Sequence, residues 1–366
     1  MVYSKRPTYR QAGVDTARVT SALTDLTALV RKTFTYRKGV GRVILPLGYF
    51  ANVIALGKNL GLAISTDGVG TKILVAQMLG KFDTIGIDCV AMNVNDLLCV
   101  GAEPLALVDY VAVQAPNRRL LREMGKGLQE GARQARITIP GGEVAQLGEI
   151  IRGVHGDDGF DLVGTCVGTV PLDRIIIGQR IKPKDVILGL RSSGIHSNGL
   201  TLARDVLFRR QRLRPTQHIP ELGRTIGQEL LEPTRIYVRE IIAMLKAGLH
   251  VKALIHITGD GLLNLSRVAA KVGFVIDFWP DPHPIFGVIQ QMGRVATEEM
   301  FRVFNMGIGF CVVLPNDRAQ INRAITIAKK HGAECYRLGH TIRDAERKIF
   351  LKPHKLVGKG DGFRRN

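Results

Sequence analysis

Short apolar runs alternate with amphipathic helical stretches along the chain, and the alternation starts over after Pro171. A chain patterned in this way buries its apolar faces by layering helices on sheets, and a restart separates one layered unit from the next. In the first half the pattern predicts strands at Leu62–Ser65, Leu105–Val113, Ile137–Ile139 and Leu162–Val170. Helices are predicted at Thr71–Leu79, Asp83–Val100 and Asn117–Arg136. Beyond Pro171 strands are expected at Val186–Leu190, Ala253–Ile257, Phe274–Phe278 and Ile308–Leu314. Helices are expected there at Leu200–Phe208, Pro233–Leu245, Leu262–Val272 and Ala319–His331. Pro233 suits a first helical position, where its missing N–H costs nothing. At roughly 150 residues per domain, 366 residues accommodate two such units. The expected division is 1–170 and 171–345, followed by a basic, glycine-containing tail over 346–366 that reads as mobile.

Composition narrows the function classes. No apolar run approaches the roughly 18 residues of a membrane-spanning helix. Lys5, Arg6 and Arg10 have no apolar stretch behind them, so the N-terminus does not read as a signal peptide. Five widely separated cysteines without a Cys-x-x-Cys spacing fit isolated core thiols in a reducing cytoplasm, not a disulfide framework or zinc site. Lysines and arginines exceed acidic residues by 51 − 32 = 19. That excess would suit nucleic acid, an anionic surface or a polyanionic small molecule. The basic residues are dispersed, however, and aromatics make up 6% of the chain with no basic–aromatic interleaving. Base stacking needs such interleaving, so nucleic acid is not expected as the main partner.

Acidic residues beside glycines recur at the ends of first-half elements. They occur in Ser65-Thr66-Asp67-Gly68-Val69-Gly70-Thr71-Lys72, Gly86-Ile87-Asp88, Asn93-Val94-Asn95-Asp96 and Gly141-Gly142-Glu143. A magnesium nucleotide accounts for the pattern, because Mg²⁺ takes carboxylate and phosphate oxygens together and glycine lets backbone N–H groups approach phosphate. Lys72 follows Thr71 and not glycine, so the first segment is not a P-loop. Taken singly, Asp67-Gly68 also fits a turn and Asp96 a helix cap. In the second half, Ser192-Ser193-Gly194-Ile195-His196-Ser197-Asn198-Gly199 joins a predicted strand to a predicted helix. Ser197 or Asn198 could cap that helix, whose N-terminus favours an anion. His196 reads either as a proton donor and acceptor or as a packed histidine at the domain seam. His256-Ile257-Thr258-Gly259-Asp260-Gly261 and Asn305-Met306-Gly307-Ile308-Gly309 are further polar, glycine-rich junctions that ordinary turn chemistry also explains.

These motifs, in this order, resemble the aminoimidazole ribonucleotide synthetase family, and in particular its archaeal branch. The resemblance runs from Tyr9-Arg10-Gln11-Ala12-Gly13-Val14-Asp15 to about residue 345. It passes through Thr66–Lys72, Met92–Asp96, Gly101-Ala102-Glu103-Pro104, Gly141–Glu143, Ser193–Gly199, Pro233–Tyr237, His256–Gly261 and Glu299–Arg302. It implies a two-domain α/β fold of α+β type. The N-terminal mixed sheet would form a barrel shared by a homodimer, and the C-terminal domain would be an α/β sandwich. The chain departs from bacterial members at Leu45–Ala51, where Gly48 alone remains of a glycine-rich run.

The family reaction closes formylglycinamidine ribonucleotide to aminoimidazole ribonucleotide in purine biosynthesis, with ATP giving ADP and phosphate. ATP and Mg²⁺ are the implied cofactors, with a potassium requirement left open. Carried onto this sequence, Asp67, Asp96 and Glu143 would be metal ligands, with Asp88 assisting at the nucleotide. Lys72 would neutralise phosphate charge, and Gly68, Gly70 and Thr71 would lie against the phosphates. His196 and Asn198 would orient substrate or move protons, while Ser197 and Arg235 would bind substrate, Arg235 at the ribose 5′-phosphate. Another ATP-dependent kinase or synthetase of the same superfamily is the alternative reading.

Overall fold

The computed structural model describes residues 7–366; Lys5 and Arg6 lie outside them. The chain begins with helix α1 (Thr16–Lys32), then strands β1 (Val43–Leu45), β2 (Asn52–Ala55) and β3 (Leu60–Gly68). Helices α2 (Lys72–Leu79) and α3 (Ile85–Cys99), strand β4 (Glu103–Val113), helix α4 (Arg118–Ala135) and strands β5 (Thr138–Gln146) and β6 (Phe160–Pro171) complete the N-terminal domain. Its sheet is mixed, in the order β1-β2-β3-β6-β4-β5, with β4 and β5 parallel. Along β6 every second residue is buried, from Phe160 to Val170, which is the period of a sheet covered on one face. Helix α3 covers that face and α4 packs upon α3.

The second domain comprises β7 (Val186–Arg191), α5 (Leu200–Arg204), the hairpin β8 (His218–Ile219) and β9 (Arg224–Thr225), α6 (Ile226–Leu230) and α7 (Val238–Lys246). It continues through β10 (Ala253–His256), β11 (Val272–Ile276), α8 (Pro284–Gly293), α9 (Thr297–Val303), β12 (Ile308–Leu314), α10 (Arg318–Lys330) and β13 (Cys335–Arg343). Strands β14 (Ile349–Leu351), β15 (Leu356–Lys359) and β16 (Gly362–Arg365) close the chain. One sheet runs β10-β12-β7-β13-β11-β14-β15-β16. Strands β7 and β12 are buried nearly throughout, as expected for central strands.

Three expectations need correcting. The segment 346–366 is not a loose appendage. It adds three strands to the second sheet, with Ile349, Leu351, Leu356 and Val357 buried and Arg302 bonded to the Asp361 carbonyl at 2.9 Å. Four apolar side chains on a pleated edge offset the local basic charge. Leu262–Val272 forms a 3₁₀ turn over Gly261–Arg267 and then passes into β11. Finally, Pro233–Tyr237 is not helical, and α7 begins at Val238. The Thr234 N–H bonds to Asp88, the Arg235 N–H to His196 and the Tyr237 N–H to Asn95. Backbone groups satisfied by α3 across the seam and by the loop 193–199 have no need of a helical turn.

Candidate active site at the domain seam

Helix α3 organises the site. Asp88, Met92, Asn95, Asp96 and Cys99 recur at i, i+4, i+7, i+8 and i+11, which places them on one helical face. Each meets the second domain. Asp88 accepts from the Thr234 N–H (2.7 Å) and Ser197 Oγ (3.1 Å). Met92 Sδ lies 4.0 Å from Asn198 Nδ2. Asn95 donates to the Arg235 carbonyl (2.9 Å) and accepts from the Tyr237 N–H (3.0 Å). Asp96 Oδ1 lies 2.9 Å from His256 Nδ1, and Cys99 Sγ accepts the His256 N–H. A largely apolar helix with most of its polar residues on one face thus becomes the hydrogen-bonded spine between the domains.

Asp67, near the end of β3, and Asp96 form the electrostatic centre. Burial pushes the Asp67 carboxyl up to about 6, and the neighbouring Asp96 carboxylate adds to the rise, partly opposed by the Gly68 N–H and His256. Two carboxylates that repel one another in a half-buried setting favour a cation between them. The Gly68 N–H is taken by Asp67 Oδ1 at 2.8 Å, which fixes that carboxylate. Asn93 Nδ2 bonds to the Asp67 carbonyl (3.2 Å) and ties the strand end to α3. Gly70, exposed with φ +69°, makes a left-handed turn that leads into α2. Thr71 Oγ1 lies 3.0 Å from Thr201 Oγ1 on α5.

This pair suits magnesium on a nucleotide. Mg²⁺ is usually held by one or two carboxylates, the remaining positions going to phosphate oxygens and water. Among the described residues no three His, Cys, Asp or Glu are arranged to hold an ion by themselves, and a site completed by phosphates requires none. His256 Nε2 is buried without a hydrogen-bond partner beside this pair.

The other expected site residues divide. Glu143 stands exposed on the edge strand β5, adjacent to Gly142. The register runs Asp67–Gly164–Asp109–Gly142, so three strand spacings, about 14 Å, separate Glu143 from Asp67 within one protomer. The expected three-carboxylate ring is therefore a pair in the protomer. Lys72 and Asp88 are paired with each other, both side chains 0% exposed and 2.9 Å apart. Neither can touch a phosphate in this arrangement. Arg235 turns its guanidinium to Glu240 on α7 (3.3 Å) and over the Tyr237 ring (5.8 Å), not toward the carboxylate pair. Ser197 is spent on Asp88 and Thr234. Asn198 is half-buried, its Oδ1 facing Gly259.

His196 is buried in the left-handed region, φ +63°. Its Nε2 accepts the backbone N–H groups of Ser193 (3.2 Å) and Arg235 (3.4 Å), which places the ring proton on Nδ1. Burial, with nearby positive charge adding, holds its pKa well below the ordinary histidine value. A neutral, enclosed imidazole thus pins two loops. Asn95, His256 and Thr234 lay inside motifs read from sequence but were given no role there, and Glu232 was not singled out, although the polar spacing along α3 was available as a signal.

A cavity of about 810 Å³ lies elsewhere. Leu60, Glu103, Thr169, Arg180 and Lys252 are among its walls. Leu60 and Asp67 sit seven residues apart on β3, about 23 Å along the strand. Asp67 therefore lies at the other end of the strand from this cavity. At the Asp67 end, the segment 46–51 is anchored by Phe50, over which the Arg267 guanidinium lies at 5.0 Å.

Residues 48–170 match the family described as AIR synthase related protein, N-terminal domain, and residues 182–352 match its C-terminal domain. A phosphoribosylformylglycinamidine cyclo-ligase of Methanocaldococcus jannaschii is 45% identical over 96% of this chain and 96% of its own. One from Pyrococcus furiosus is 49% identical over 85% of this chain and 88% of its own. Among solved structures, the hydrogenase maturation protein HypE in complex with ATP superposes with a TM-score of 0.58 at 18% identity, covering 83% of each chain. That last likeness concerns the fold alone. The two matched domains, which span most of the described residues, place this chain in the AIR synthase related family.

Proposed function

We propose that this chain is a phosphoribosylformylglycinamidine cyclo-ligase, converting formylglycinamidine ribonucleotide and ATP to aminoimidazole ribonucleotide, ADP and phosphate. The observation that carries the reading is 45% identity over 96% of a relative so named, joined to a carboxylate pair suited to a metal nucleotide. The physical problem is an inert carbonyl. A formamide is a poor electrophile and oxide cannot leave. Attack of the formamide oxygen on the γ-phosphorus expels ADP and leaves an iminophosphate. The amidine nitrogen then bonds to that carbon, the ring closes and the C–O bond breaks to release phosphate. Such a reaction asks the protein chiefly for positioning and charge neutralisation.

In this reading Asp67 and Asp96 hold magnesium, which when bound would offset phosphate charge. His256 keeps Asp96 turned toward Asp67. The exposed turn at Gly70 leaves room for the nucleotide phosphates. His196 holds the loops 193–199 and 233–237 in register and does not itself reach the reacting atoms.

The homodimer belongs to the same reading. The uncovered face of the first sheet carries exposed Leu105, Val108 and Tyr110, and α1 carries exposed Val19, Leu23, Leu26 and Val30. Apolar patches of this sort mark interaction surfaces. Edge strand β5 belongs to the same uncovered surface, so a part for Glu143 in nucleotide chemistry depends on a second copy. ADP release measured with formylglycinamidine ribonucleotide and, separately, thiamine phosphate tests the choice of substrate. Release is expected with the first; release with thiamine phosphate alone would overturn the reading in favour of a kinase of the same fold.

A further inference from the structure

Asp88 Oδ1 collects donors from three places. Lys72 Nζ lies at 2.9 Å, the Thr234 N–H at 2.7 Å and Ser197 Oγ at 3.1 Å. Lys72 Nζ also donates to the Glu232 carbonyl at 2.5 Å. The two C-terminal-domain loops are stitched to each other as well. Ser193 Oγ bonds to the Pro233 carbonyl, and Ser197 Oγ lies 2.9 Å from Thr234 Oγ1. One buried pair on α2 and α3 therefore holds both loops that flank the candidate active site.

Stability does not explain the pair. Desolvating two charges costs free energy, and apolar residues of similar volume commonly replace a buried ion pair without loss. What apolar residues cannot supply is a directed acceptor for the Thr234 N–H and the Ser197 hydroxyl. We propose that Lys72 and Asp88 are positioning residues, a clasp across the domain seam that sets the loops 193–199 and 232–235 against the carboxylate pair. This rests on the cyclo-ligase reading for its kinetic consequence, though not for its structural one. The active part of the clasp is the Asp88 oxygen; Lys72 compensates its charge and ties down Glu232.

The test compares two double variants that both lack the ion pair. Lys72→Met/Asp88→Asn keeps an oxygen where Asp88 Oδ1 lies, whereas Lys72→Met/Asp88→Leu does not. Melting temperature, kcat and KM for each substrate, and amide hydrogen exchange over 193–199 and 232–235 are measured on the full chain. Both variants are expected to fold. The leucine variant is expected to lose about 10²-fold in kcat/KM for formylglycinamidine ribonucleotide, the scale of a misplacement near 1 Å. Its KM for ATP should stay within about twofold, and its two loops should exchange about tenfold faster, a free-energy change near 1.4 kcal/mol. The asparagine variant should stay within about threefold of the parent in kinetics and exchange. Equal kinetics and equal exchange in the two variants overturn the proposal. So does failure of the leucine variant to fold while the asparagine variant folds, since stability would then be what the pair provides. Absence of any cyclisation by the parent is a failure of the functional reading instead, and loop exchange still decides the clasp.

Discussion

Asp67 is a carboxylate whose chemistry depends on a neighbour twenty-nine positions away in sequence. Its raised pKa, about 6, means that between pH of about 4 and 6 the folded chain binds more protons at this group than the unfolded chain does. This contribution therefore favours folding below that window and is lost as pH climbs through it. A divalent cation competes with that proton. The melting-temperature rise produced by magnesium with ATP should be small at pH 5 and several-fold larger at pH 7.5; equal rises at both would separate Asp67 from the metal. Asp67→Asn should cut ATP turnover by about 10²–10³-fold while thermal unfolding stays near that of the parent. For His196→Ala two part-buried backbone N–H groups lose their acceptor, so chemical denaturation should show a loss of about 1–3 kcal/mol, with a smaller fall in turnover than for Asp67→Asn. Sequence made Asp67 and Asp96 legible because both lie beside motif residues with an evident use. It did not reveal the ion-pair and hydrogen-bond partners of Lys72, Asp88 and Arg235, which lie between 5 and 160 positions away. Charge and motif membership look alike whether a side chain faces a ligand or a buried carboxylate.

At the scale of elements, α3 bears the largest share of the arrangement. Its opposite side packs so closely on α4 that a Cβ at Gly86 would lie 2.1 Å from the Leu128 nitrogen and 2.7 Å from the Met124 carbonyl oxygen. Backbone cannot yield as a side-chain tip can. Gly86→Ala should cost about 3 kcal/mol, the upper part of the overpacking range, read by denaturant unfolding. A cost under 0.5 kcal/mol would mean that the two helices are not held at this distance. Regular elements buried on one face, such as α4 and β6, were legible from their period. Pro233–Tyr237 was not, because its backbone partners lie on α3 and on the loop 193–199, far away in sequence. The strands after residue 346 were hidden by basic side chains on solvent-facing positions of a sheet edge.

The whole molecule joins two sheets through one polar helix face; the restart of the sequence pattern pointed to two units and held no sign of the seam between them. Its uncovered N-terminal sheet predicts association. Sedimentation at micromolar concentration should give twice the 40.1 kDa chain mass, whereas a stable monomer would leave those apolar faces unexplained. The excess of 19 positive charges predicts electrostatic steering of two polyanionic substrates, so kcat/KM should fall with added salt; a flat profile would remove that role for the charge. The central claim is that this fold primes a formamide oxygen with ATP and closes a ring. The direct measurement is to incubate the purified chain with magnesium, ATP and formylglycinamidine ribonucleotide and quantify products. Aminoimidazole ribonucleotide and ADP in equal amounts are predicted; ADP without the aminoimidazole, or neither product from a folded chain, would contradict it.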